Sequence, residues 1–123
     1  MKLRINGNSL RLRLNQEEVA QFSKMGFYED AIEFGAGARF TYSIECCLRL
    51  QSPEVVFKNG SLQVKIPHAC GTHWARTDEV GISAQQALES GKELSILIEK
   101  DFRCIHRDDG EDPHAYPNPL EDS

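Results

Sequence analysis

No stretch of this 123-residue chain approaches the ~20 consecutive apolar residues that a membrane-crossing helix needs. Nor does the start pair a cationic head with an apolar run, so no secretory leader and no membrane partner are expected, and a cytoplasmic address follows. Positive charge is in short supply: Lys and Arg number 14 against 19 Asp and Glu, a net charge of −5. A nucleic-acid-binding domain usually has the opposite balance, so no nucleic acid is expected as a partner. Cysteine occurs four times, as Cys46, Cys47, Cys70 and Cys104. In a leaderless chain these thiols are expected to be reduced. Cys46 and Cys47 are neighbours on a strand-like stretch, so they point to opposite faces and cannot easily bond each other.

The charge imbalance is local. From Arg107 to Ser123 six acidic residues stand against one basic residue, which accounts for the whole net charge. Met1 to His106 carries 13 residues of each sign. Pro113, Pro117 and Pro119 fall in the same acidic end, a composition that cannot build a core. We therefore expect a single α+β domain over residues 1–105 and an acidic, Pro-containing tail over 106–123. Tyr116 and Leu120 are its candidate anchors to the body.

What is present is alternation. Lys2 to Leu14 reads apolar and polar in turn, twice, around Asn6-Gly7-Asn8, a cluster suited to a tight turn. Leu3, Ile5, Leu10, Leu12 and Leu14 are expected to face a core. Lys2, Arg4, Arg11 and Arg13 then share the other face. A helix follows over Gln16 to Met25. Asn15 caps it, Glu18 completes a capping box, and Leu14 with Val19 occupies the positions of a hydrophobic staple. Val19, Phe22 and Met25 are expected on its buried side, and Gly26 is its stop.

Ala31 to Phe34 and Arg39 to Leu48 read as strands joined around Gly35-Ala36-Gly37. Phe40, Tyr42, Ile44 and Cys46 share one face of the second, while Thr41, Ser43, Glu45 and Cys47 share the other. Glu54 to Phe57 and Ser61 to Ile66 flank Lys58-Asn59-Gly60, and Asn-Gly between strand-like runs marks a hairpin. Pro67 to Arg76 is ambiguous: Pro67 can open a short helix carrying Trp74, but Gly71 weakens it. Val80 to Ser83 reads as a strand, Gln85 to Lys92 as a loop, and Glu93 to Phe102 as a strand whose two-sided apolar content places it centrally. No internal repeat is visible beyond the recurring hairpins. The order predicts an α+β fold: one strongly curved antiparallel sheet, or partial barrel, of roughly eight strands with two helices.

The opening Met1-Lys2-Leu3-Arg4-Ile5, the run Gly7 to Leu14, Glu18-Val19, the closing Leu97 to Phe102 with Cys104, and Tyr116-Pro117-Asn118-Pro119 together resemble a family of small uncharacterised bacterial proteins. That resemblance implies a single-domain cytosolic bacterial protein and brings no activity with it. Ser9 to Leu14 is also similar to a strand of the CYTH-type triphosphate tunnel enzymes, which bind polyphosphate inside an antiparallel barrel. Their N-terminal Glu-x-Glu-x-Lys motif is replaced here by Met1-Lys2-Leu3-Arg4-Ile5.

Four chemistries can be written on these residues. Arg4, Arg11, Arg13 and Lys65 can grip a phosphate or carboxylate, since a guanidinium donates two parallel hydrogen bonds. Glu45 and Glu99 can hold a divalent ion such as magnesium beside it. The plain alternative is a solvent-facing sheet with cross-strand ion pairs worth ~0.2–1 kcal/mol each. Cys70-x-x-His73 with His68, and Cys104-x-His106 with His114 beyond, form a candidate zinc set; surface histidines beside small buried thiols are the alternative. Cys46 or Cys104 as a nucleophile needs an adjacent base, for which His106 is the candidate. The acidic tail can lie across the basic face or reach a basic partner. Two readings follow: a non-catalytic binding module for a protein or a phosphate-containing small molecule, or a CYTH-like phosphate-binding protein or metal-dependent phosphohydrolase.

Overall fold

The computed structural model describes residues 1–101. Within them lie eight strands and two helices. They are β1 (Lys2–Asn6), β2 (Ser9–Leu14), α1 (Gln16–Met25), β3 (Phe27–Gly35), β4 (Ala38–Cys47), β5 (Glu54–Lys58), β6 (Ser61–Pro67), α2 (His68–Arg76), β7 (Gly81–Ala87) and β8 (Glu93–Lys100). The fold is α+β. Its strands form two mixed four-stranded sheets rather than one curved antiparallel sheet, in the orders β1-β2-β8-β7 and β3-β4-β6-β5. The sheets do not close into a barrel. Each hairpin is antiparallel as its turn dictates, but β2 runs parallel to β8 and β4 parallel to β6. Turn chemistry fixes partners only within a hairpin, so these non-local parallel pairs left no trace in the sequence pattern.

The two sheets expose a duplication that the sequence hid. The chain is strand-strand-helix-strand-strand, twice. Each sheet takes the first hairpin of one half and the second hairpin of the other, and exchanging the halves maps one sheet onto the other. Even single hydrogen bonds repeat. Ser95 N–H donates to Asn8 O at 3.1 Å, and Thr41 N–H donates to Gly60 O at 3.0 Å. Lys100 N–H donates to Val80 O at 3.0 Å, and Cys46 N–H donates to Gly26 O at 2.9 Å. Only Ser9 to Leu14 and Ser61 to Ile66 keep a shared pattern, Ser-Leu-polar-apolar-cation-apolar.

The inward faces of both sheets meet the two helices in one apolar cluster. Leu12, Leu14, Ile44, Val64, Ile66, Trp74 and Ile98 are fully buried in it. Each such side chain contributes ~1.5–3 kcal/mol of burial. The helices follow β2 and β6 directly and touch each other, so they cap the end of the sandwich where the central strands finish. The four hairpin turns lie at the other end.

α1 forms where its caps predict. Glu18 N–H donates to Asn15 Oδ1 at 2.9 Å, and Asn15 N–H donates to Glu18 Oε1 at 2.8 Å. Gly26 closes it in the left-handed region, φ 72°. α2 forms in full despite Gly71, and close packing accounts for the glycine: a Cβ there would lie 2.7 Å from Cys46 Sγ. Several expectations need correction. β3 begins at Phe27, not Ala31, and its start is held by Asp30, which pairs with the Met1 ammonium, and by Tyr28, which donates to Glu18. β7 runs on to Ala87, so Gln85 and Gln86 are strand and not loop. β8 is central, as expected. Ile5 is 67% exposed at the end of β1, and Met25 is 70% exposed at the end of α1, where the core has already been left behind. The tail, and Phe102 with it, lies outside the described residues.

Candidate anion-binding face

β1, β2, β8 and β7 lay their outward residues in rows. Arg4 stands opposite Arg11, then Leu97, then Ser83. Lys2 stands opposite Arg13, then Glu99, then Gly81. Asn6 stands opposite Ser9, then Ser95, then Gln85. The alternation that buries Leu10, Leu12 and Leu14 therefore turns Arg4, Arg11 and Arg13 outward, away from the packed interior.

The pairing of these cations is uneven. Arg13 Nε donates to Glu99 Oε1 at 3.2 Å, and Arg11 Nε lies 3.4 Å from the same oxygen. Lys2 Nζ donates to Asp101 at 2.9 Å. Arg4 is exposed and makes no ion pair among the described residues. It faces Arg11 directly, and like charges opposite each other on a sheet are destabilising. A depression of 300 Å³ lies on this face, lined by Arg4, Arg11, Ser9, Ser83, Gln85 and Ser95 among others. Ser95 Oγ donates to Gln85 Oε1 at 3.0 Å, and Ser9 Oγ donates to Asn6 O at 2.8 Å. Two guanidiniums over a floor of hydroxyls and an amide can take a phosphate or carboxylate in bidentate fashion.

The duplicated scaffold shows how particular this face is. On the second sheet, Val56 and Gln63 take the places of Arg4 and Arg11, and Glu54 that of Lys2. Lys65 and Glu45 face each other there as Arg13 and Glu99 do on the first sheet. So Lys65 and Glu45 do not join the arginines. Glu45 and Glu99 lie on the outer faces of different sheets.

The other candidate residues divide differently. His68 and His73 are exposed on α2, Cys70 is half-buried, and His73 Nδ1 lies 2.9 Å from Glu79. Among the described residues no group of three or more His, Cys, Asp or Glu side chains is placed to hold a metal ion. Cys104, His106 and His114 lie outside the described residues. Burial pushes the thiols of Cys46, Cys47 and Cys70 up from their ordinary value, with nearby negative charge adding to it. That is the reverse of what an activated nucleophile needs.

A second cluster was not read from the sequence. The Met1 ammonium, its side chain wholly buried, pairs with Glu18 and lies 2.5 Å from Asp30. Burial disfavours the charged ammonium, but the hydrogen bonds to Asp30 and Glu18 outweigh it and raise its pKa. Burial likewise works against the Glu18 carboxylate, and the ammonium and the Asn15 N–H overcome it to lower that pKa. Tyr28, which donates to Glu18 at 3.3 Å, is pushed up to about 12 by burial and by the charges of Asp30 and Glu18. A wider groove of 950 Å³ lies nearby, between the start of α1 and the end of β8. No helix among the described residues is long and apolar enough to cross a membrane.

Comparison with known families matches the chain to a family of unknown function, DUF7009, over residues 1–120. No curated protein and no solved structure matches.

Proposed function

For a chain that belongs to DUF7009, a family of unknown function, we propose a role read from the site itself: a small non-enzymatic binding module that holds a phosphate-bearing ligand on the outer face of its first sheet. One observation carries this reading. Arg4 and Arg11 stand opposite each other in an open depression, and Arg4 has no carboxylate partner among the described residues. Like charges directly opposite each other on a sheet are destabilising, and no acid offsets Arg4 among the described residues as Glu99 offsets Arg13. A doubly charged phosphate between the two guanidiniums relieves their repulsion and satisfies two forks at once.

Binding is favoured over hydrolysis for a geometric reason. The phosphohydrolase alternative requires Glu45 and Glu99 to hold a metal beside the arginines. Glu45 belongs to the other sheet, and Glu99 is engaged by Arg11 and Arg13. A CYTH-type tunnel also requires its cations to point into the barrel, whereas Arg4, Arg11 and Arg13 point outward.

The test is a calorimetric titration of tripolyphosphate into the full chain at low salt, with and without magnesium, repeated on Arg4→Ala/Arg11→Ala. Saturable one-to-one heat that falls by at least tenfold in affinity in the double variant supports the reading. Affinity unchanged by the double variant, or no heat in the parent chain, overturns it. Phosphate release during the titration would revive the hydrolase.

A further inference from the structure

We infer that the ligand of the first sheet is a phosphorylated sugar: a phosphate monoester whose phosphate sits on Arg4 and Arg11 and whose hydroxyls are read by Ser95 and Gln85. The inference rests on the phosphate reading and adds to it the chemistry of the rest of the ligand.

The rows of the outer face separate the two ends of such a molecule. The Arg4–Arg11 row and the row of Asn6, Ser9, Ser95 and Gln85 lie two residues apart along the strands, a step of ~7 Å. One depression spans both rows. Arg4 and Arg11 supply its charge, and its other polar side chains are all hydroxyls or amides. A ligand that fills it is anionic at one end and uncharged but hydrogen-bonding at the other. Its 300 Å³ lies at the low end for small-molecule sites, which suits one phosphate and one ring.

The hydrogen bonding within the depression selects hydroxyls. Ser95 Oγ donates its one proton to Gln85 Oε1 at 3.0 Å, so its lone pairs are left to accept. The same bond orients the Gln85 amide, whose Nε2 has no partner among the described residues and is left to donate. Acceptor and donor stand side by side, and a hydroxyl both donates and accepts. Neighbouring hydroxyls of a sugar satisfy the pair, whereas a phenyl or alkyl ester leaves both unmet. Leu97 lies between Arg11 and Ser83 and is half-buried, an apolar floor for the C–H face of a sugar ring. Among the described residues no aromatic side chain lines the depression, so it has no stacking platform for a nucleobase.

The duplicated sheet serves as an internal control. Val56 and Gln63 stand there in place of Arg4 and Arg11. Glu29 and Ala31 stand there in place of Ser83 and Gln85. The hydroxyls of Ser9 and Ser95 have counterparts in Ser61 and Thr41, so hydroxyls alone do not distinguish the sheets. The arginines and the Ser83–Gln85 wall do. They occur together on one sheet and are absent together from the other, as the two ends of one site would be.

The test is a calorimetric titration of the full chain at low salt with glucose 6-phosphate, phenyl phosphate and inorganic phosphate. A neutral hydrogen bond is worth about fivefold in affinity, and the Ser95–Gln85 pair offers two. Glucose 6-phosphate is therefore expected to bind at least tenfold more tightly than either of the other two. In Gln85→Ala/Ser95→Ala its advantage over inorganic phosphate is expected to fall to about onefold. Should the double variant fold poorly, Gln85→Ala alone carries the test, since the equivalent position of the second sheet already holds Ala31. Phenyl phosphate binding as tightly as glucose 6-phosphate overturns the inference, and so does an advantage that the variants leave intact. In both cases inorganic phosphate that binds the parent and is lost in Arg4→Ala/Arg11→Ala leaves the phosphate reading standing. If none of the three compounds binds the parent chain, both fall.

Discussion

Phe22 of α1 and Trp74 of α2 meet edge to face, with ring centroids 5.9 Å apart and ring planes at 64°. They hold the same position in the two halves of the chain, and both are buried. The duplicated halves therefore join at a contact that neither half can make alone. Because each sheet also mixes strands from both halves, the chain has to fold as one cooperative unit. Phe22→Ala removes one side of this contact and is expected to cost about 3–5 kcal/mol. Trp74→Phe keeps a ring but loses the Nε1 bond to Val80 O, 3.1 Å in the parent, at a cost of about 1–3 kcal/mol. Urea unfolding followed by both fluorescence and circular dichroism checks this. Two separate transitions would contradict the single unit.

Gly71 offers a sharper test of how the helices seat. A Cβ there would stand 2.7 Å from Cys46 Sγ and 3.3 Å from Phe22 Cζ. Gly71→Ala should therefore destabilise by about 1–3 kcal/mol, although alanine is the better helix former. Cys46→Ala removes the sulfur that blocks the site. In that background Gly71→Ala is expected to lose most of its cost, and a double-mutant cycle in urea reads the coupling directly. A cost independent of residue 46 would mean that α2 packs differently.

Gly71 also marks the limit of what periodicity conveys. The residue lowers helix propensity, so Pro67 to Arg76 stayed ambiguous in the sequence, and the reason for the glycine is a sulfur on a strand far along the chain. α1 was legible because Asn15, Glu18 and Gly26 are local signals. So were the hairpins, since Gly7 and Asn59-Gly60 set their turns. Alternation correctly put Arg4, Arg11 and Arg13 on one outer face. It could not put Lys65 and Glu45 on a different sheet, because it fixes the side of a strand and not the strand's neighbours. Ser83, Gln85 and Ser95 were missed as lining of the depression for the same reason. They reach the arginines only through the parallel pairing of β2 with β8.

The Met1–Glu18–Asp30 cluster predicts a pH profile. The Glu18 carboxylate has its folded pKa lowered from the ordinary 4.5, so its contribution is present above that value and is lost as pH falls through the lowered one. The Met1 ammonium has its pKa raised from the ordinary 8.0, so its contribution is present below 8.0 and is lost as pH rises through the raised value. Glu18→Gln keeps the capping-box geometry but removes the charge. It is expected to cost about 1–3 kcal/mol at neutral pH, to flatten the acid limb, and to weaken the alkaline limb only in part, because Asp30 still holds the ammonium. Urea midpoints measured across the pH range decide this; a variant whose profile matches the parent would show the cluster to be energetically silent.

The two seams between the sheets carry different residues at the equivalent positions Gln86 and Ile32, and the effect of that difference can be measured. Where β5 and β7 approach, the Gln86 side chain accepts from Val55 N–H at 2.7 Å and donates to Val55 O at 3.3 Å. One amide thus stands in for the missing strand-to-strand ladder. The equivalent residue at the seam between β1 and β3 is Ile32, which can offer neither bond and is 47% exposed. Gln86→Ile should make the first seam resemble the second. It leaves the Val55 N–H and C=O without their partner, which costs about 1–3 kcal/mol. Hydrogen exchange gives the local reading: protection of the Val55 amide is expected to drop by at least tenfold, while Val64 at the core of β6 changes only by the global destabilisation. Equal loss at both amides would mean that the side chain supports the whole sheet and not the seam. Ile32→Gln is the reciprocal variant. If the amide bonds backbone at this seam as Gln86 does at the other, it should gain protection at Leu3, the counterpart of Val55.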